Sequence, residues 1–202
     1  DGIWRRMERR PDAPPFPSSA ARWCTSDYKR ATIDKWIRNT YPTDATVYCA
    51  IGVRAAESSF RSKKPTLIER RGCMAPTKNR YAFNWLPIHD FSLADVWATI
   101  GYSLDELHDI QRQVKQAADP LGLIQEIQFK AHPAYALGNE RLSCALCVMA
   151  SPNDLRNGSA YNPELANELI RIEEASGFTF RQNMSLREFQ TEKYQPQQLQ
   201  LL

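Results

Sequence analysis

Apolar residues recur at helical spacing in several stretches of this chain and crowd together in two short ones. From about Asp27 to Arg38 the spacing of Ile33, Trp36 and Ile37 predicts a helix with those three on one face. Thr46 to Val53 is short, β-rich and mostly apolar, as a buried strand should be, and Gly52 ends it. Tyr81 to Ile88 reads as a second strand, placed by Pro87 at an edge or a strand end. Ser92 with Asp95 and Ser103 with Glu106 are capping boxes. They predict a helix stopping at Gly101 and another to about Ala118, the latter with Leu104, Leu107, Ile110 and Val114 inward and ended by Pro120 and Gly122. The clearest helix follows Asn162 as cap, with Pro163 at its first position, Leu165, Leu169 and Ile172 on one face, and Gly177 at its end. Ser185 to Glu188 predicts a last short helix. Residues 1–20, rich in Pro, and 65–80, with little periodicity, read as loops.

Composition changes this picture little. At 202 residues, 43% hydrophobic and 24% charged, the chain has material for a sizeable core. No apolar run approaches the roughly 18 residues of a membrane span, and no secretory signal is visible, so a cytoplasmic protein without membrane contact is expected. The chain opens on Asp1 without an initiator Met, which reads as a fragment of something longer. Charge is more informative. The net +3 divides into 17 Lys/Arg against 8 Asp/Glu in residues 1–80, and 9 against 15 in the remainder. A basic first part suits a nucleotide or a nucleic-acid backbone, or is simply a solvated surface.

Five cysteines without an export signal favour metal binding or thiols over disulfides. Cys144-Ala-Leu-Cys147 is the strongest signal, since a turn of that length can aim both sulfurs at one metal or at two corners of a cluster. A zinc knuckle lacks its second pair here, and a redox pair lacks a flanking βαβ pattern. Unligated buried thiols are the plain alternative. Cys24 sits among Arg22, Lys29 and Arg30, whose charge favours a thiolate. Cys49 belongs to the apolar strand, while Cys73 on its basic loop is either a ligand or an unligated thiol. Gly52-Val53-Arg54, with Glu57, Ser58 and Arg61, directly follows a strand, where open α/β sheets bind ligands. Its two arginines can grip phosphate or sulfate bidentately, or pair with neighbouring carboxylates. No catalytic triad or paired-carboxylate site stands out, and His132 before Pro133 reads as structural.

Taken in order, Phe16-Pro17-Ser18, Arg22-Trp23-Cys24-Thr25, Lys29-Arg30, Gly52-Val53-Arg54, Glu57-Ser58, Arg61, Trp85-Leu86-Pro87-Ile88, Asp95-Val96-Trp97, His132-Pro133, Tyr135, Gly138, Arg141 and Cys144-Ala-Leu-Cys147 resemble the phosphoadenosine-phosphosulfate (PAPS) reductase-like family. That family includes sulfurtransferases of the DNA-phosphorothioation type, and the resemblance spans about residues 14–180. It implies an α/β fold, an adenine-nucleotide α-hydrolase-like remnant followed by a mainly helical, cluster-binding part. Residues 1–90 would close the nucleotide domain, 91–185 would bind an iron–sulfur cluster, and 186–202 would be a flexible tail. The resemblance implies a 4Fe-4S cluster on Cys24, Cys144 and Cys147, with Cys73 as candidate fourth ligand and Cys49 a poorer one. It implies ATP or PAPS as the nucleotide, with Lys29, Arg30, Arg54, Glu57, Ser58 and Arg61 around its anionic end. The family's Ser-Gly-Gly-x-Asp-Ser phosphate loop would lie before residue 1. The segment that couples relatives to thiol reductants is missing, which favours ATP-pyrophosphatase-type sulfur transfer, with a sulfur-donating protein such as a cysteine desulfurase as partner. A non-enzymatic, zinc-stabilised nucleic-acid-binding module is the alternative function.

Overall fold

A computed structural model describes residues 2–9 and 13–190. Its helices are α1 (Gly2–Glu8), α2 (Ala31–Thr40), α3 (Ser59–Ser62), α4 (Leu93–Ile100), α5 (Leu104–Gln116), α6 (Pro120–Glu126), α7 (Pro133–Ala136), α8 (Pro152–Tyr161) and α9 (Pro163–Ser176). The strands are β1 (Ala45–Ala50), β2 (Leu67–Glu69) and β3 (Arg80–Trp85). A π-helical turn (Cys24–Arg30) leads into α2, and among the described residues there are also four 3-10 turns. The protein is therefore a mixed α/β chain with a small sheet and an extensive, mostly helical C-terminal region. It divides into a sheet unit, Thr25–Glu106, and a helical unit, Asp1–Cys24 with Leu107–Leu202. α4 belongs with the sheet unit.

In the sheet unit the strand order is β1-β3-β2, with β1 parallel and β2 antiparallel to β3. β3 is the middle strand rather than an edge. It stops at Trp85, so Pro87 lies beyond the ladder and removes no bond from it. The stretch expected as loop, 65–80, supplies β2. β1 is also shorter than its apolar run, and only alternate residues are shielded. Its Val47 and Cys49 pack against a cluster of Ile37, Cys73 and Ala82, while Tyr48 on the opposite face is exposed and stacks on Phe83 at 5.6 Å. Only Ile37 of the expected α2 face is buried, and Ile33 and Trp36 are exposed.

A polar network fixes the segment between β2 and β3. Buried Arg80 donates to the carbonyls of Cys73 (2.8 Å), Tyr41 (3.1 Å) and Pro42 (3.2 Å). Asp34 Oδ1 accepts the Arg70 Nε–H at 2.7 Å and pairs with its Nη2 at the same distance, and Arg70 Nη1 donates to Asn84 at 2.8 Å. α4 opens with the full Ser92–Asp95 capping box, whose two bonds from Ser92 hold the Asp95 carboxyl below its ordinary range.

The helical unit is built on Phe16, Leu146, Leu155, Leu169, Phe180 and Leu186, with Phe16 edge-on to Phe180 at 5.2 Å. A second cluster joins Val114 of α5, Ile124 of α6 and Ala136 of α7. Pro120 and Gly122 do not end a helix here. They begin α6, because Asp119 caps it through the Gly122 N–H and Pro120 occupies the first turn, where its missing N–H costs nothing. Residues 2–8, expected as loop, form α1. α9 matches its prediction in extent and in its Gly177 end, where φ is +70°. Asn162 makes no side-chain cap and donates back to the Gly158 carbonyl instead. Leu186 and Phe189 are buried at 0% and 3% exposure, so the chain through Phe189 is core rather than tail. Residues 191–202 of the expected tail lie outside the described residues. Among the described residues no helix is long and apolar enough to cross a membrane.

Candidate functional site

Because β1 and β3 are parallel, with Ala50 opposite Trp85, their carboxyl ends lie side by side. The chain leaves β1 through Ile51-Gly52-Val53-Arg54 and leaves β3 through Leu86-Pro87-Ile88-His89, so two loops share one end of the sheet. Backbone bonds join them. Ile51 N–H donates to Trp85 (2.8 Å) and Ala55 N–H to His89 (2.7 Å).

On the first loop the expected anion-binding residues come together. Arg54 and Arg61 both pair with Glu57, Arg54 through Nε at 3.8 Å and Arg61 through Nη1. The two cations are thus gathered on one carboxylate, each guanidinium keeping further N–H groups to offer. The Arg54 side chain is 17% exposed and that of Arg61 39%, so neither is a fully solvated surface charge. Ser58 has a structural task, since its hydroxyl oxygen accepts the Arg61 N–H to cap α3. Lys29 and Arg30 are exposed on the π-helical turn, a separate element.

One neighbour was not foreseen. His89 is 6% exposed, with Nε2 at 3.0 Å from the Arg61 carbonyl and Nδ1 at 3.0 Å from the Asp90 carboxylate. Those acceptors, the Arg61 carbonyl first, raise its pKa above the ordinary histidine value. Its sequence signal was a His-Asp pair just after a strand that ends near the other loop.

The cysteines lie in different settings, and all five are thiols rather than disulfides. Cys144 is exposed and Cys147 half-buried, on a loop held by α8. Asn153 donates to the Gly138 carbonyl (2.8 Å), Asn157 to that of Leu137 (2.9 Å), and Asp154 accepts the Glu140 N–H (2.9 Å). Leu146 is driven into the core, and Gly158 lies against the Ala145 carbonyl with no room for a Cβ. Asn-Asp-x-x-Asn-Gly at helical spacing is the signal that could have marked this clamp. Cys24 is half-buried at the start of the π-helical turn. Cys73 is fully buried, its S–H donated to Asp34 Oδ1 at 3.3 Å. Burial first, and then the Asp34 carboxylate, push its thiol up, away from the thiolate that a metal needs. Cys49 packs beside it.

Among the described residues no group of three or more His, Cys, Asp or Glu converges as a metal site. Cys24, Cys144 and Cys147 belong to the helical unit and Cys73 to the sheet unit. Compared with family models, curated proteins and solved structures, the chain matches none.

Proposed function

We propose that this chain carries the anion-facing loop of a PAPS reductase-like, ATP-pyrophosphatase-type sulfurtransferase, on an adenine-nucleotide α-hydrolase-like fold. The supporting observation is the pairing of Arg54 and Arg61 on Glu57 at the carboxyl ends of adjacent parallel strands, the place where open α/β sheets hold their ligands. In this reading the ligand is the phosphate or sulfate end of ATP or PAPS. The two planar guanidinium forks match its oxygens, and Glu57 offsets their mutual repulsion and sets their orientation. Lys29 and Arg30 add positive charge, and Ser58 keeps its hydroxyl proton to donate. Sulfur would come from a donor protein of the cysteine desulfurase kind. Cys144 and Cys147, with Cys24 of the same unit, are the thiols that the reading assigns to an iron–sulfur cluster. That assignment rests on their spacing and on the family resemblance.

Calorimetric titration with ATP and PAPS tests the proposal. The 202 residues hold no Ser-Gly-Gly-type turn, and side chains poorly replace a backbone cradle. Binding weaker than micromolar and no ATP hydrolysis are therefore expected. Arg54→Lys should weaken binding further, since an ammonium cannot reproduce the fork. Equal affinity in that variant would reject the assignment.

A further inference from the structure

An imidazole with acceptors on both nitrogens is an electrostatic constraint. Neutral histidine carries one N–H, so it can satisfy either the Arg61 carbonyl or the Asp90 carboxylate and must aim a lone pair at the other. The imidazolium satisfies both. The residue is also stitched through its backbone, since its carbonyl accepts the Ala55 N–H at 2.7 Å. His89 thus holds both ends of the segment that carries Arg54, Glu57 and Arg61, the first through its carbonyl and the last through its ring.

We propose that His89 is a positioning residue for the anion site: as the imidazolium it ties the Arg54–Arg61 segment to the loop after β3, so that affinity for a sulfate-type dianion follows its protonation. This rests on the reading of Arg54 and Arg61 as anion ligands. Asp90 is the charged group shown against the ring, and the segment whose Arg61 carbonyl meets it carries Arg54, Glu57, Arg61, Lys63 and Lys64. None of these carries an ordinary pKa between 6 and 9, so among them the ring is the group that changes charge there. The direction follows from its surroundings. The protonated form is favoured in place, so the latch is complete below the ordinary histidine pKa and is lost as pH rises through the raised value.

Inorganic sulfate is the probe, because it does not itself titrate in this range. Its affinity is measured between pH 6 and 9 at constant ionic strength, with the His89 ring followed by NMR in the same samples. The inference predicts about fivefold weaker binding at pH 9 than at pH 6, near the low end of coupling between two sites. By the same linkage, saturating sulfate should raise the ring's titration midpoint. His89→Gln should bind weakly with no such pH dependence. Asp90→Asn, at a side chain 86% exposed, should keep the fold and move the transition to lower pH. A flat profile in the unsubstituted protein, with binding still abolished by Arg54→Ala, would overturn the latch and leave the anion site standing. No sulfate binding at any pH would overturn both.

Discussion

Replacing Gly158 by alanine sets two physical rules against each other. Gly158 lies inside α8, where alanine is favoured over glycine by about 1 kcal/mol on helix propensity alone. The side chain it lacks, however, would fall within the van der Waals shell of the Ala145 carbonyl oxygen and 3.0 Å from Leu146 Cδ2. The carbonyl belongs to the backbone of the CxxC loop, whose neighbour Leu146 is anchored in the core, so it has little room to retreat. Overpacking of this kind costs about 1–3 kcal/mol, and a direct backbone clash belongs at the upper end. The net expectation is a loss of about 1–2 kcal/mol despite the better helix former. Urea unfolding would show it as a midpoint lower by about 0.5–1 M, for an m-value near 2 kcal/mol/M that does not change. Alkylation of Cys144 and Cys147 should quicken as their loop is displaced. A midpoint raised by the amount propensity predicts would refute the reasoning and show that the loop is not seated on α8.

Two further outcomes follow from the same geometry. Glu173, buried in α9, accepts from the N–H groups of Phe180 and Leu186 and from the Ser185 hydroxyl. Glu173→Ala should therefore cost about 3 kcal/mol of unfolding free energy in a denaturant titration, and Glu173→Gln, which keeps an acceptor, about half as much. In the native protein at pH 8, iodoacetamide should label exposed Cys144 well before Cys73, whose thiol is buried and raised. Mass spectrometry that found Cys73 labelled first would place it outside the core.

What could be read in the sequence was mostly local. The capping boxes at Ser92, Ser103 and Ser185 open helical segments as expected, because a cap is settled within four residues. The pairing of Arg54 and Arg61 with Glu57 was legible for the same reason, as i+3 and i+4 neighbours after a strand. Features that depend on distant partners were not. Cys73 stands in a Gly- and Pro-containing stretch that reads as open loop, and it is buried because Arg80 and Arg70 hold that stretch onto α2 and β3. α8 was hidden by Asn153, Asp154, Asn157 and Gly158, which look like loop residues and serve as the polar clamp on 137–140. Pro120 resembles a stop in the sequence because its meaning turns on Asp119, the cap one residue before it.

The central claim is that anions bind at the paired carboxyl ends of β1 and β3. Titration of the isotopically labelled protein with inorganic pyrophosphate, followed by amide and arginine side-chain NMR shifts, tests it most directly, and it tolerates weak affinity. The account predicts saturating shifts concentrated on residues 51–61 and 86–90, led by the Arg54 and Arg61 guanidinium groups and lost in Arg54→Ala. Shifts confined to other segments, or none at millimolar pyrophosphate, would contradict it.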